Sequence, residues 1–156
     1  TNTFNYANFD LSIFFQFSYG NDVYNATRMF NTQTQDERSN QLAETADRWT
    51  PTHASNKVPS AKGYVKNELY SRFVEDGSYL RLKNITLGYS VPEKYLRRIK
   101  VNKLRVNTTA QNLFCLTKYS GYDPEVNMRN SPLMPGFDWG AYPKSRVFTF
   151  GLDVQF

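Results

Sequence analysis

The fold is decided by Ser145-Arg-Val-Phe-Thr-Phe-Gly-Leu-Asp-Val-Gln-Phe156, a stretch in which apolar and polar side chains alternate. Successive side chains of a β-strand point to opposite faces, so this period of two predicts a strand with one apolar and one polar face. The apolar face carries Phe148, Phe150, Leu152, Val154 and Phe156. An edge strand of a soluble sandwich alternates in the same way. The length, the aromatic density and the terminal phenylalanine favour a strand of a membrane β-barrel.

The same alternation predicts further strands in the remainder of the chain. They span residues 8–19, 78–91 and 102–114. The first is about twice as long as the usual globular strand and could cross a bilayer when tilted. Within the second strand the apolar positions change parity, which predicts a β-bulge near Lys83 or Asn84. Phe4 and Tyr6 are out of phase with the first strand, which predicts a bulge or turn near Ala7.

The composition is compatible with strands of this kind. Hydrophobic residues make up 40% of the chain and aromatic residues 16%, which is too rich for a disordered segment. The mean hydropathy is nevertheless −0.62. No apolar run approaches the roughly 18 residues that a spanning helix needs, whereas a barrel strand needs only about 9 to 11 residues, half of them apolar. The composition therefore predicts no spanning helix and permits a membrane β-barrel.

Charge and residue counts argue against several other functions. The net charge of +5 could indicate nucleic acid, but the aromatic residues lie in alternating strands rather than among a basic stripe. Cys115 is the one cysteine and His53 the one histidine, so no Cys/His metal site, internal disulfide or His-based catalytic set can be assembled. We therefore expect neither nucleic-acid binding, nor enzymatic activity, nor a cofactor.

The lengths of the connecting segments carry topological information. Residues 20–77 form a long polar segment, and residues 116–144 form a second long segment that is rich in Pro, Gly, Asn and aromatic residues. Residues 92–100 form a short connection with room for one helical turn. A short helix is also predicted at 39–48. Outer-membrane barrels have short periplasmic turns and long outer loops, so the order predicts that both long segments are extracellular. Because four strands cannot close a barrel, we expect the remaining strands to come from residues that precede this chain.

Four motifs carry a family resemblance. They are Gly77-Ser-Tyr-Leu-Arg-Leu-Lys-Asn-Ile-Thr-Leu-Gly-Tyr89, Gln111-Asn-Leu-Phe114, Thr117-Lys-Tyr-Ser-Gly-Tyr-Asp-Pro-Glu125 and Asp138-Trp-Gly-Ala-Tyr-Pro143. In order and spacing they resemble the C-terminal end of SusC/RagA-type TonB-dependent outer-membrane transporters of Bacteroidetes. The resemblance implies an all-β fold in which residues 1–156 supply the last four antiparallel strands of a barrel of about 22 strands. The plug domain and the other strands would lie outside this chain.

The resemblance also implies a function and a set of partners. The function is active uptake of large nutrients, oligosaccharides or peptides, across the cell outer membrane. The partners are a SusD-like surface lipoprotein, the TonB complex (through the absent N-terminal part), outer-membrane lipid and the barrel-assembly machinery. Thr149, Gly151, Val154 and Phe156 resemble the C-terminal signal that this machinery recognises.

Asp138, Trp139 and Tyr142 are the candidate residues for contact with the substrate or the lipoprotein lid. An aromatic platform beside a carboxylate suits the CH face and the hydroxyls of a sugar. The alternative is that the two aromatic residues pack within a loop or at the membrane interface. Two other function classes remain open at this point: a passive or structural outer-membrane barrel, and a soluble β-sandwich that binds glycans.

Overall fold

The computed structural model describes residues 1–33, 40–61, 68–127 and 133–156, which form two compact units. The first unit contains residues 1–19, 78–117 and 143–156, and the second contains residues 20–77 and 118–142. Among the described residues, no helix combines the length and the apolar character that a membrane-spanning helix needs.

The regular elements follow one another in chain order. The strands are β1 (Asn2–Tyr6), β2 (Phe9–Ser18), β3 (Asp22–Asn25), β4 (Val74–Asp76), β5 (Tyr79–Ser90), β6 (Lys103–Thr117), β7 (Phe137–Asp138) and β8 (Val147–Gln155). The α-helices are α1 (Ala26–Thr32) and α2 (Glu93–Leu96), and 3₁₀ segments lie at Ala43–Asp47, Ser71–Phe73 and Arg97–Ile99.

The first unit is an antiparallel sheet with the strand order β1-β2-β5-β6-β8. Directly paired residues of neighbouring strands present their side chains on the same face. One such row pairs Leu11 with Leu87, Leu87 with Thr108, and Thr108 with Phe150. The next row pairs Ser12 with Thr86, Thr86 with Thr109, and Thr109 with Thr149. The sheet therefore has one largely apolar face and one largely polar face, as the alternation predicts.

The four predicted strands correspond to β2, β5, β6 and β8, with bounds that differ by at most three residues. The prediction of four strands misses one strand of this sheet. Strand β1 pairs with β2 through a tight turn at Ala7 and Asn8. The turn near Ala7 is thus confirmed. Ala7 has a φ of 51°, a left-handed conformation in which Asn or Gly is the usual residue, so the hairpin lacks its ordinary sequence signal.

The predicted bulge in β5 is confirmed at Lys83. The pairing with β2 shifts between Phe14 and Phe15, which lie opposite Asn84 and Leu82, so Lys83 is the extra residue of the bulge. This extra residue returns Leu80 and Leu82 to the apolar face, because it compensates the change of parity. On the β6 side the same irregularity coincides with Asn112, whose φ is 53°.

The second unit contains the mixed sheet β4-β3-β7, in which β3 runs antiparallel to β4 and parallel to β7. Buried apolar side chains come from both long segments. They are Val23, Ala26, Val58, Phe73, Tyr119 and Val126. The two segments that the sequence presents as polar excursions therefore share one small folded unit.

The helix predicted at 39–48 is corrected to a shorter element. The described part is a 3₁₀ segment, Ala43–Asp47, which follows an extended Leu42 without a side-chain cap. Ser39 lies outside the described residues. The short connection after β5 does contain a helical turn, α2, whose Leu96 is buried.

Gly136 is required where β3 and β7 meet. Its φ is 73°, its carbonyl accepts a 2.7 Å hydrogen bond from the Tyr24 amide, and its amide donates to the Val126 carbonyl. A Cβ atom at this position would lie 2.8 Å from the Asp22 carbonyl oxygen. Both the backbone conformation and the close approach therefore favour glycine.

Candidate functional site

The apolar face of the first unit is strongly exposed. Phe150 is 81% exposed, Phe17 is 74% exposed and Leu152 is 65% exposed. An apolar surface of this extent marks an interaction with lipid or protein, because soluble monomers rarely expose contiguous patches above a few hundred Å². The face is therefore a candidate interaction surface in itself.

On the polar face, polar side chains lie close to glycines of neighbouring strands. The Arg105 guanidinium contacts the Asp10 carboxylate at 2.6 Å, and a Cβ atom on Gly88 would collide with both groups. Asn107 donates to Asp153 at 3.2 Å. Because each of these polar groups has a neighbour on the same face, this surface suits contact with water or with polar solutes.

In the second unit, a polar cluster gathers around helix α1. The Asn25 side chain caps the helix by accepting a 2.8 Å hydrogen bond from the Arg28 amide. The Arg28 guanidinium donates to both oxygens of Glu44, at 2.8 and 2.6 Å. It also donates to Glu75 at 3.0 Å. This geometry is the bidentate pairing that gives strong charge-assisted hydrogen bonds.

Glu75 joins residues that are distant in sequence. Its carboxylate accepts hydrogen bonds from the amide and the hydroxyl of Ser120, both at 2.8 Å, and from the Asn25 amide group at 3.2 Å. Arg28 is a further donor to this one carboxylate. Strand β4, helix α1 and the segment after β6 are therefore connected at Glu75.

These contacts explain the protonation states in the cluster. Burial acts to raise the pKa of Glu75, but the hydrogen bonds from Ser120, Arg28 and Asn25 outweigh it and lower that pKa below the usual range. The hydrogen bond from Arg28 likewise lowers the pKa of Glu44 and, reciprocally, raises that of Arg28. All three side chains are thus charged near neutral pH.

The Asp138 carboxylate accepts a second group of hydrogen bonds in this unit. The Tyr119 hydroxyl donates to its carboxylate at 2.5 Å, and the Ala141 amide donates to it at 3.2 Å. The Thr27 hydroxyl lies 3.3 Å from the same carboxylate and accepts a 2.6 Å hydrogen bond from the Gly140 amide. Burial raises the pKa of Tyr119, and the hydrogen bond to Asp138 adds to the effect.

The three predicted contact residues lie in different environments. Asp138 is 2% exposed, and its carboxylate is committed to the contacts above. Trp139 is half exposed and packs edge to face against Phe30, with 5.9 Å between the ring centroids. Tyr142 is 87% exposed. The two aromatic side chains are thus accessible, whereas the carboxylate supports the turn from within.

An open cavity of about 550 Å³ lies beside this turn. Its lining combines polar groups of the cluster with the side chain of Tyr122, which is exposed. The lining residues are Asn25, Thr27, Arg28, Asn31, Leu42, Ala43, Glu44, Ser120, Gly121, Tyr122 and Asp138. The volume falls in the range of about 300–1,000 Å³ that small-molecule sites occupy.

Sequence reasoning does not single out Thr27, Arg28, Glu44 or Glu75. Their partners are 16 to 113 residues away along the chain, and such pairings leave no local pattern. Asn25 is the residue of this cluster that the sequence could have indicated, because an asparagine directly before Ala26-Thr-Arg-Met-Phe30 is a typical helix cap.

The residues that resemble an assembly signal lie at the β8 edge of the sheet. Thr149 and Gly151 are on the polar face, paired with Thr109 and Asn107, and Val154 is on the apolar face. Phe156 follows the strand and is exposed. Within the described part of the chain, no group of three His, Cys, Asp or Glu side chains is arranged to hold a metal ion.

Comparison with known proteins finds relatives of this chain among TonB-dependent receptors. No family model matches it. It is 38% identical over 160 residues to TonB-dependent receptor P3 of Formosa agariphila, and 32% identical over 157 residues to TonB-dependent receptor SusC of Bacteroides thetaiotaomicron. These alignments cover 99% and 100% of this chain but only 16% and 14% of the relatives.

The fold has a similar counterpart among solved structures. A chain of the RagAB peptide transporter superposes with a TM-score of 0.79 at 25% identity, over 94% of this chain and 15% of that chain. A chain of the RagAB peptide importer in the closed-closed state gives a TM-score of 0.78. The chain is therefore homologous over its whole length to SusC-like TonB-dependent receptors and to RagA, non-enzymatic transporters of the outer membrane, and it covers about 15% of those proteins.

Proposed function

We propose that this chain forms part of the barrel wall of a TonB-dependent importer in the cell outer membrane, with oligosaccharides or peptides as the cargo. The observation that carries the proposal is the two-faced antiparallel sheet of the first unit, in a chain homologous to such receptors. Residues 1–156 would contribute consecutive C-terminal strands of a barrel of about 22 strands.

The two faces match the two environments of such a wall. Hydrocarbon requires apolar side chains outside and backbone hydrogen bonds that are satisfied between strands. The exposed aromatic face meets the first requirement, and the antiparallel ladder meets the second along its paired strands. The polar face, with the Asp10–Arg105 pair, would border the lumen. In a sandwich the aromatic side chains would pack on a second sheet, so their exposure favours the barrel.

The outer edges of β1 and β8 would pair with strands elsewhere in the intact protein. Five strands cannot close a barrel, since the smallest have about eight. This chain covers only 16% of the first curated relative, which leaves ample sequence for the other strands, the plug and the segment that contacts the TonB complex.

The partners follow by analogy with the matched structures. In RagAB, the RagA-like transporter pairs with RagB, a SusD-like protein. We infer a SusD-like surface lipoprotein as the partner here, with the two long segments, residues 20–77 and 116–144, in extracellular loops. Trp139 and Tyr142, which are exposed, would contact the substrate or this lipoprotein, and Asp138 would support them. Thr149, Gly151, Val154 and Phe156 would contact the barrel-assembly machinery.

Uptake by the intact transporter in its host tests the proposal. The gene is deleted, and growth and uptake are measured on oligosaccharides and on peptides as sole nutrients, with and without functional TonB. We expect loss of growth on one nutrient class, restored by the gene only when TonB is functional. Restored uptake that is independent of TonB would indicate a passive barrel and would contradict active import.

A further inference from the structure

We propose that Glu75 and Thr27 are positioning residues that hold Trp139 in the orientation in which it contacts substrate or lipoprotein. This inference rests on the proposed function, which supplies the contact. Neither residue would touch the ligand itself. Their effect would pass through a closed ring, the polar ring, in which hydrogen bonds join Asn25 to Glu75, Glu75 to Ser120, Tyr119 to Asp138 and Asp138 to Thr27. The polypeptide chain completes the ring, between Tyr119 and Ser120 and along the start of α1.

The first half of the polar ring is fixed by Glu75. Its carboxylate holds the start of helix α1 through Asn25 and Arg28, and holds Ser120 through two hydrogen bonds of 2.8 Å. The Glu75 side chain is only 13% exposed. Because its hydrogen-bonding capacity is directed at these donors, Glu75 is placed to fix the two segments relative to each other.

The second half is fixed by Thr27, which lies in the helix turn that Asn25 caps. The Thr27 hydroxyl oxygen accepts a hydrogen bond from the Gly140 amide, and its proton is directed at Asp138. These are the residues on either side of Trp139. Phe30, one helical turn beyond Thr27, packs against the Trp139 ring.

Tyr119 closes the ring. It precedes Ser120 in the chain, and its hydroxyl donates to Asp138 at 2.5 Å. The turn that carries Trp139 is therefore held from one side by α1 and from the other by the 119–120 segment, and Glu75 connects both supports. A change at Glu75 or Thr27 should consequently alter the orientation of Trp139 although neither side chain is its ring neighbour.

The test uses the full-length transporter with its lipoprotein partner, in a Trp49→Phe background that leaves Trp139 as this segment's reporter. Plug and barrel tryptophans outside the chain are accounted for by subtracting the signal of the Trp139→Ala variant. Thr27→Val and Glu75→Gln are compared with Thr27→Ser, which keeps the hydroxyl, and with Glu93→Gln, an exposed glutamate in the first unit.

We expect acrylamide quenching of Trp139 to increase about twofold in Thr27→Val and Glu75→Gln, and to stay unchanged in Thr27→Ser and Glu93→Gln. We expect the uptake KM to rise about five- to tenfold with little change in kcat. In a Trp139→Ala, Tyr142→Ala background the same two substitutions should change KM less than twofold, because residues that act through one another give non-additive effects.

Additive effects on KM, or unchanged quenching, would overturn the positioning role. A different result addresses the proposed function. If the Trp139→Ala, Tyr142→Ala variant imports normally and binds its lipoprotein normally, the contact assigned to these aromatic residues is wrong. The quenching measurement would still decide whether Glu75 and Thr27 control the orientation of Trp139.

Discussion

Replacement of Asp138 by asparagine removes one acceptor oxygen and the negative charge while it preserves the shape of the side chain. In the structure the carboxylate accepts hydrogen bonds from the Tyr119 hydroxyl and the Ala141 amide and lies near Thr27. The asparagine oxygen can still accept from the Ala141 amide, and its NH₂ group can only donate to the Tyr119 oxygen, so both bonds become neutral and the one to Tyr119 reverses direction. The substitution therefore tests whether this buried carboxylate holds the Trp139 turn together.

The magnitude follows from the contacts. A hydrogen bond to a charged group contributes about 1.5–3 kcal/mol, and a neutral one about 0.5–1.5 kcal/mol. Replacement of the two charge-assisted bonds by neutral ones should together cost about 2–3 kcal/mol of local stability. If exchange occurs by local opening, the Gly140 and Ala141 amides should exchange roughly 30 to 160 times faster.

Hydrogen exchange with residue-level mass spectrometry on the full-length transporter in detergent measures this effect. Tyr119→Phe should produce a similar acceleration, and adding Asp138→Asn to it should produce less than the sum, because both remove the same charge-assisted bond. Asp22→Asn, an exposed carboxylate of the same unit, is the matched control. Acceleration of less than about threefold in Asp138→Asn would refute the supporting role assigned to this carboxylate.

Three further outcomes are expected. Gly136→Ala should destabilise the second unit by about 2 kcal/mol, because a left-handed alanine costs about 1–2 kcal/mol and its methyl group approaches the Asp22 carbonyl. Limited proteolysis measures this effect, and an unchanged rate of cleavage would contradict it. The pKa of Glu75 is lowered, so the stability that it contributes is present above the unfolded pKa of about 4.3 and is lost as pH falls through the folded pKa. Protection of the Ser120 amide, corrected for the intrinsic exchange rate, should therefore decline as the pH falls below about 4.3. Protection that does not change on acidification would contradict the Glu75 contact. Phe156→Ala should lower the amount of transporter in the outer membrane more than the uptake per molecule, measured by surface labelling and transport; the reverse would count against an assembly signal.

Much of the first unit could be predicted, because one physical pattern governs it. A strand with different environments on its two faces must alternate, and the alternation survives in β2, β5, β6 and β8. Even the bulge at Lys83 leaves a trace, since the apolar parity changes there. Strand β1 could not be predicted, because Ala7 occupies a left-handed turn position without the usual Asn or Gly.

The second unit could not be predicted, because its organisation depends on contacts between distant residues. Strand β3 has four residues and β7 has two, too short for a periodic signal, and their parallel pairing joins residues that are far apart in the chain, such as Tyr24 and Phe137. The same applies to Glu75 and Ser120. The aromatic neighbours of Asp138 mark it in the sequence, but they could not indicate that its carboxylate is turned inward.

The orientation of β8 in a membrane is the most direct test of the central claim. Single spin labels at residues 147–155 of the full-length protein in a lipid bilayer would be measured for collision with oxygen, which partitions into hydrocarbon, and with a water-soluble nickel complex. We predict a period of two, with oxygen accessibility highest at 148, 150, 152 and 154 and nickel accessibility highest at 147, 149, 151, 153 and 155. Accessibility without this period, or with the opposite phase, would contradict a barrel wall whose aromatic face meets lipid.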